Sequence, residues 1–103
     1  MEFSWDDANR SHIAEHAVSP EEAEQVVFNE PLDLEVQNRG GEERTLQVGE
    51  TDAGRILIVV TTWRDQKVRV VTAFPANKKI RELYAQYAEA GAGENHGGGA
   101  EDP

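Results

Sequence analysis

Three strand-patterned segments follow one another between Arg44 and Phe74, and the links between them leave little choice of topology. "RTLQVGE" from Arg44, "RILIVVTTW" from Arg55 and "KVRVVTAF" from Lys67 are joined by "TDAG" and "RDQ", links short enough for hairpins. The three strands are therefore expected to be consecutive and antiparallel. Ile56 to Val60 is apolar on both faces, which places that strand in the middle of the sheet. In the last strand, alternation puts Val68, Val70, Thr72 and Phe74 on one face and Lys67, Arg69, Val71 and Ala73 on the other. With helices covering the Val68 face, Arg69 points to the opposite side.

The flanking sequence supplies the rest of an α+β domain. Asp6 is a plausible N-cap, and Trp5, Asn9, His12, Ile13 and His16 recur at intervals of three and four, one face of a short helix. A second helix starts at "SPEEAEQVVF", where Ser19 caps, Pro20 suits the first helical position, and Glu21 and Glu22 complement the dipole. "NEPLDLEV" alternates Leu32, Leu34 and Val36 with acids as a half-exposed strand, and "NRGG" turns the chain. Pro75 ends the last strand, after which Ile80, Leu83, Tyr84 and Tyr87 stand at helical spacing. The expected architecture is two N-terminal helices, a four-stranded antiparallel sheet and a C-terminal helix. A chain of 103 residues holds one core, assigned to residues 1–90, with the Gly-rich residues 91–103 expected to be a disordered tail.

Several function classes drop out. There is no cysteine, hence no disulfide framework, thiolate metal site or cysteine nucleophile, and a reducing cytoplasm is the expected location. "MEFSW" has neither the basic nor the apolar region of a secretion signal, and the longest apolar run, "ILIVV", is too short to span a membrane. The net charge of -10 argues against a polyanionic partner, but it conceals an asymmetry. Residues 1–36 hold ten acids and one base, whereas residues 55–81 hold Arg55, Arg64, Lys67, Arg69, Lys78, Lys79 and Arg81 against Asp65 alone. Partners respond to local potential, so this basic segment is the candidate contact for phosphate or for an acidic protein.

His12 and His16 have the i,i+4 spacing of zinc helices, yet no third ligand is evident apart from His96 in the tail, so no metal and no cofactor are expected. The plainer reading packs His12 and Ile13 on the sheet and lets His16 hydrogen-bond at the helix end. Tyr84 and Tyr87 share the apolar side of their helix with Ile80, which favours core packing over base stacking. Lys78, Lys79 and Arg81 lie in the first turns of a helix, the end at which the dipole disfavours cations, and this invites a functional reading.

Trp5-Asp6, His16 followed by Val18, the Pro20-Glu21-Glu22 helix start, Phe28, Pro31, Glu43-Arg44, Gly49, Gly54-Arg55, and the Val70 to Ala73 strand before a basic helix form an ordered set of motifs. In these features the chain resembles the BrnT-type toxin family, small RelE-like bacterial proteins. The resemblance implies the toxin of a type II toxin-antitoxin system: a metal-independent endoribonuclease acting on mRNA, neutralised by a ribbon-helix-helix antitoxin with which it represses its own operon. Such cleavage needs a base for the 2′-hydroxyl, a cation for the developing phosphorane charge and an acid for the leaving oxygen. On that resemblance Arg69 and Arg55 would stabilise phosphate, His16 or Tyr84 would handle protons, and Arg64, Lys67, Lys78, Lys79 and Arg81 would position RNA; a homo-oligomer is compatible with it. The chain departs from the family at Phe74, where Arg is common, and at Ala17, where Gly is usual. Phe74 and the acidic pI of about 4.6 support the alternative, a non-catalytic binding module that keeps an antitoxin or other protein partner.

Overall fold

The computed structural model describes residues 1–91. The elements run β1 (Phe3–Ser4), α1 (Asp7–Ala14), α2 (Pro20–Phe28), β2 (Leu32–Arg39), β3 (Glu42–Glu50), β4 (Ile56–Arg64), β5 (Lys67–Pro75) and α3 (Lys78–Glu89). Of the tail expected over residues 91–103, all but Gly91 lies outside the described residues.

Local chemistry sets each boundary. Both early helices open on a capping box: Asp6 accepts from the Asn9 amide while the Asn9 side chain accepts from Asp6, and Ser19 and Glu22 repeat the exchange. The end of α1 closes as a Schellman turn, with the Val18 amide on the Ile13 carbonyl at 3.1 Å and the Ala17 amide on Ala14 at 3.0 Å. Ala17 sits there at φ 58°, a left-handed conformation that explains why glycine suits this position better. Asp65 and Gln66, both at positive φ, make the tight turn between β4 and β5, and Gly40 and Gly41 do the same between β2 and β3.

The β2–β5 meander is antiparallel throughout, as expected. Three details differ from the sequence reading. The sheet has five strands in the order β1, β5, β4, β3, β2, and it is mixed, because β1 pairs parallel to β5 through Phe3 opposite Val68 and Ser4 opposite Arg69. The helices do not share one face. Ile13, Val18, Ala23 and Val26 of the N-terminal layer pack with Leu57, Val59, Val70 and Ala73, whereas Tyr84, Ile80 and Tyr87 of α3 pack with Val48, Ile58, Val60 and Phe74. Consecutive residues of β4 thus serve opposite layers, which accounts for a strand apolar on both sides. Finally, β5 does not alternate cleanly. Val60 faces Thr72 but Thr61 faces Val70, so Val71 is an extra residue that reverses the parity and puts Ala73 with Val70. Arg69 precedes this bulge and does point away from the α1–α2 layer.

Gly49 lets α2 approach the sheet. A Cβ there would lie 3.0 Å from Val26 Cγ1 and 3.1 Å from Pro31 Cβ. No helix among the described residues is long and apolar enough to cross a membrane.

Candidate nucleic-acid interface

The α3 layer covers the β2, β3 and β4 face only toward the Glu50 and Ile56 end of the strands. Toward the hairpin tips the same face is open, and its residues line a cleft of about 240 Å³ together with α1: Ala8, Asn9, His12, Glu42, Arg44, Arg64, Arg69 and Val71. The register brings the cations together. Arg69 stands opposite Thr62, Arg64 opposite Lys67, and Thr45 opposite Thr61, so Arg44, Thr62, Arg64 and Arg69 share one side of three adjacent strands.

Helix α1 supplies the wall. Among the described residues the outer edge of β5 has no strand partner beyond Ser4, and the buried Asn9 side-chain amide takes its place by donating to the Ser4 carbonyl at 3.0 Å and the Val70 carbonyl at 3.3 Å. This anchor fixes α1 along the edge, with Ile13 in the core, His12 on the cleft and His16 against Phe74, ring centroids 5.8 Å apart. The two histidine rings are 6.1 Å apart.

Each cleft arginine meets a carboxylate. Arg69 Nη1 donates to Asp6 Oδ2 at 3.0 Å, and its side chain is only 16% exposed. Glu42 accepts from Arg44 Nε at 3.0 Å and from Arg64 Nη2 at 3.1 Å. Three guanidiniums against two carboxylates leave the cleft positive in a protein of net charge -10. The Asn9 amide and then Arg69 hold the Asp6 carboxyl below its ordinary 3.8; Arg44 and then Arg64 hold Glu42 below 4.5. At Glu22 burial pushes the pKa up, but the Ser19 amide and Arg55 outweigh it and the net shift is downward.

These shifts set the acid stability. A carboxyl with a depressed folded pKa binds protons less readily folded than unfolded, so its contribution is complete above the unfolded value and is lost as pH falls through the folded one. The contribution of these carboxyls is expected to be level above the ordinary 4.5 of Glu22 and Glu42, and to fall progressively below it. Urea midpoints across acidic pH would show this; midpoints unchanged well below the ordinary 3.8 of Asp6 would contradict it.

The other residues singled out by sequence lie elsewhere. Arg55 immediately precedes β4 at the far end of the sheet, where Nη1 donates to both Glu22 oxygens and to the Ala17 carbonyl, each at 2.9 Å. It ties the α1–α2 turn to the sheet. Arg55→Ala is expected to cost about 1 kcal/mol, discounted for partial exposure, and to lower Tm by roughly 4–8 °C with activity per folded molecule unchanged. A melt and a cleavage assay on the same sample check both. Tyr84 is buried beneath α3 and outside the cleft, and burial, then the nearby Glu50 charge, raise its hydroxyl above 10.0, so it stays protonated. Arg81 Nη1 caps the Ala76 carbonyl at 2.8 Å, while Lys78 and Lys79 are exposed. They follow Pro75, which lies six residues along β5 from Arg69, roughly 20 Å at the strand rise. The basic segment therefore splits: Arg64, Lys67 and Arg69 lie at the cleft end, and Arg55, Lys78, Lys79 and Arg81 at the other.

Sequence reading names neither Arg44 nor Glu42 as site residues and assigns His12 to packing. The signal for Arg44 is parity with Leu46 and Val48, which the register then sets beside Thr62. Among the described residues no group of three or more His, Cys, Asp and Glu side chains is arranged to hold a metal ion.

The fold and cleft define a small α+β protein with an arginine-lined groove on the open part of its sheet. The model of the family of BrnT ribonuclease toxins of type II toxin-antitoxin systems matches residues 5–79, and the chain belongs to that family. The match spans both cleft walls, from α1 to the end of β5. No curated protein matches the chain. Membership implies an antitoxin partner and an RNA substrate.

Proposed function

We propose that the cleft binds single-stranded mRNA and cleaves it without a metal, through attack of a ribose 2′-hydroxyl on the adjacent phosphodiester. The observation that supports this reading best is the convergence of Arg44, Arg64 and Arg69 with the His12 imidazole in one open groove of a ribonuclease-toxin family member. Arg69, held by Asp6, is the preorganised cation for charge that develops on the non-bridging oxygens, and Arg44 and Arg64 hold a neighbouring phosphate of the same strand. His12 accepts the 2′-hydroxyl proton as the new P–O bond forms, and water protonates the departing 5′-oxygen. The products are a 2′,3′-cyclic phosphate and a 5′-hydroxyl end. His16 lies behind His12 and Phe74 behind His16, so the Phe74 position is next to the cleft without lining it.

The proposed setting is that of a RelE-like toxin in the bacterial cytoplasm, with a ribbon-helix-helix antitoxin that masks the cleft; self-association is compatible with this. The test is incubation of purified protein with a single-stranded RNA in excess EDTA. Fragments ending in 2′,3′-cyclic phosphate, lost in His12→Ala and Arg69→Ala, are expected. Intact RNA in the absence of antitoxin would favour the non-catalytic binding module, and cleavage that EDTA abolishes would overturn the metal-free mechanism.

A further inference from the structure

The two carboxylates of the cleft differ in what else they do. Asp6 caps α1, accepting from the Asn9 amide at 3.0 Å, so it cannot leave Arg69 without loosening the helix end. The Glu42 carboxylate has no such second duty among the described residues: its side-chain contacts are Arg44 and Arg64. Each guanidinium takes a different oxygen, Arg44 on Oε1 and Arg64 on Oε2, the pattern in which two cations hold the two non-bridging oxygens of one phosphodiester.

Its position also lets it move. Glu42 is the first residue of β3, directly after the Gly40-Gly41 turn, and nothing lies within 4 Å of where a side chain at either glycine would begin. Hairpin tips with so little packing open more readily than the strands behind them. Arg64 is 53% exposed, so solvent reaches the pair and screens it.

We propose that Glu42 is a built-in stopper: in the free protein its carboxylate occupies the Arg44–Arg64 anion subsite, and a substrate phosphodiester must displace it to bind. The identity of the substrate rests on the RNA reading above, but occupation of the subsite does not. The stopper weakens binding of isolated anions and favours a ligand that presents one phosphate to Arg69 and another to Arg44 and Arg64. A phosphodiester chain does so.

The test measures binding of inorganic phosphate and of a non-cleavable 2′-O-methyl hexanucleotide to wild type, Glu42→Gln and Glu43→Gln. Glu42→Gln keeps the shape and removes the charge, and Glu43→Gln makes the same charge change at a residue outside the cleft. Both probes are expected to bind Glu42→Gln about three- to tenfold more tightly than wild type, the range for releasing two partly exposed ion pairs, with Glu43→Gln near wild type. The salt slope for the hexanucleotide should steepen by about one counterion. Glu42→Ala is expected to show the same gain, with circular dichroism confirming the fold. Equal or weaker binding by both Glu42 variants, or an equal gain in Glu43→Gln, would overturn the stopper even if wild type cleaves RNA. Tighter phosphate binding by Glu42→Gln without RNA cleavage by any variant would sustain the stopper and reject the nuclease reading.

Discussion

Arg69→Ala is expected to lower RNA cleavage about a hundred- to a thousandfold, the usual consequence of removing one preorganised donor from a developing charge. Several contacts make Arg69 the most sharply placed cation in the cleft. It rises from the side of β5 that faces away from the α1–α2 core, its neighbour across the sheet is the small Thr62, and Asp6 holds its guanidinium at 3.0 Å. Cation and helix cap are thus fixed by one carboxylate, so in the proposed mechanism the guanidinium needs little reorganisation when phosphorane charge appears. Asp6 keeps its Asn9 amide in the variant, and the fold should persist with a small change in Tm. Arg69→Lys should recover little, because an ammonium cannot reproduce the planar fork. Single-turnover cleavage beside a thermal melt separates the two effects; a rate within a fewfold of wild type would remove Arg69 from the chemistry.

Leu57→Ala is expected to give the largest loss of stability, about 3 kcal/mol, or roughly 12–24 °C in Tm for a domain of this size. Leu57 is fully buried on β4, the central strand of the sheet, and packs with Ala23 and Val26 of the α1–α2 layer. Its cross-strand neighbours are Gly49 and Pro75. Neither can swing into the vacated space: glycine has no side chain and the proline ring is fixed. Val26 already occupies the recess over Gly49, so α2 cannot settle much further. The cavity should therefore remain, in a domain whose total stability is of the order of 5–15 kcal/mol. Urea unfolding measures this directly, and a loss under 1 kcal/mol would show that the layer relaxes in a way the packing does not suggest.

Most of the fold is written in local signals. The three strands of the meander, the Asp6 and Ser19 caps and the Pro75 stop all act through neighbours in sequence, and the structure keeps each of them. Strand β1 was illegible because two residues carry no periodicity; only pairing with Val68 and Arg69 makes it a strand. The bulge at Val71 is likewise a property of two strands together. Placement of α3 on the opposite face did have a signal: Ile56 to Val60, apolar on both sides, demands cover on both. For the cleft, parity sufficed to turn Arg69 away from the helices, but the Arg44–Glu42–Arg64 bridge joins two strands through their register. His12 reaches the cleft because Asn9 bonds the free edge of β5, a tertiary contact that helical spacing does not reveal. Arg55 and Lys78 are close to Arg69 in sequence, but β4 and β5 carry them to the opposite end of the sheet.

The most direct test of the proposed RNA-binding cleft is an NMR titration of labelled protein with the non-cleavable 2′-O-methyl hexanucleotide, following arginine side-chain and backbone signals. The largest changes are expected at Arg44, Arg64, Arg69 and His12, with Lys78, Lys79 and Arg81 little affected. Changes centred on Lys78, Lys79, Arg81 and Arg55, with the cleft arginines unmoved, would contradict it.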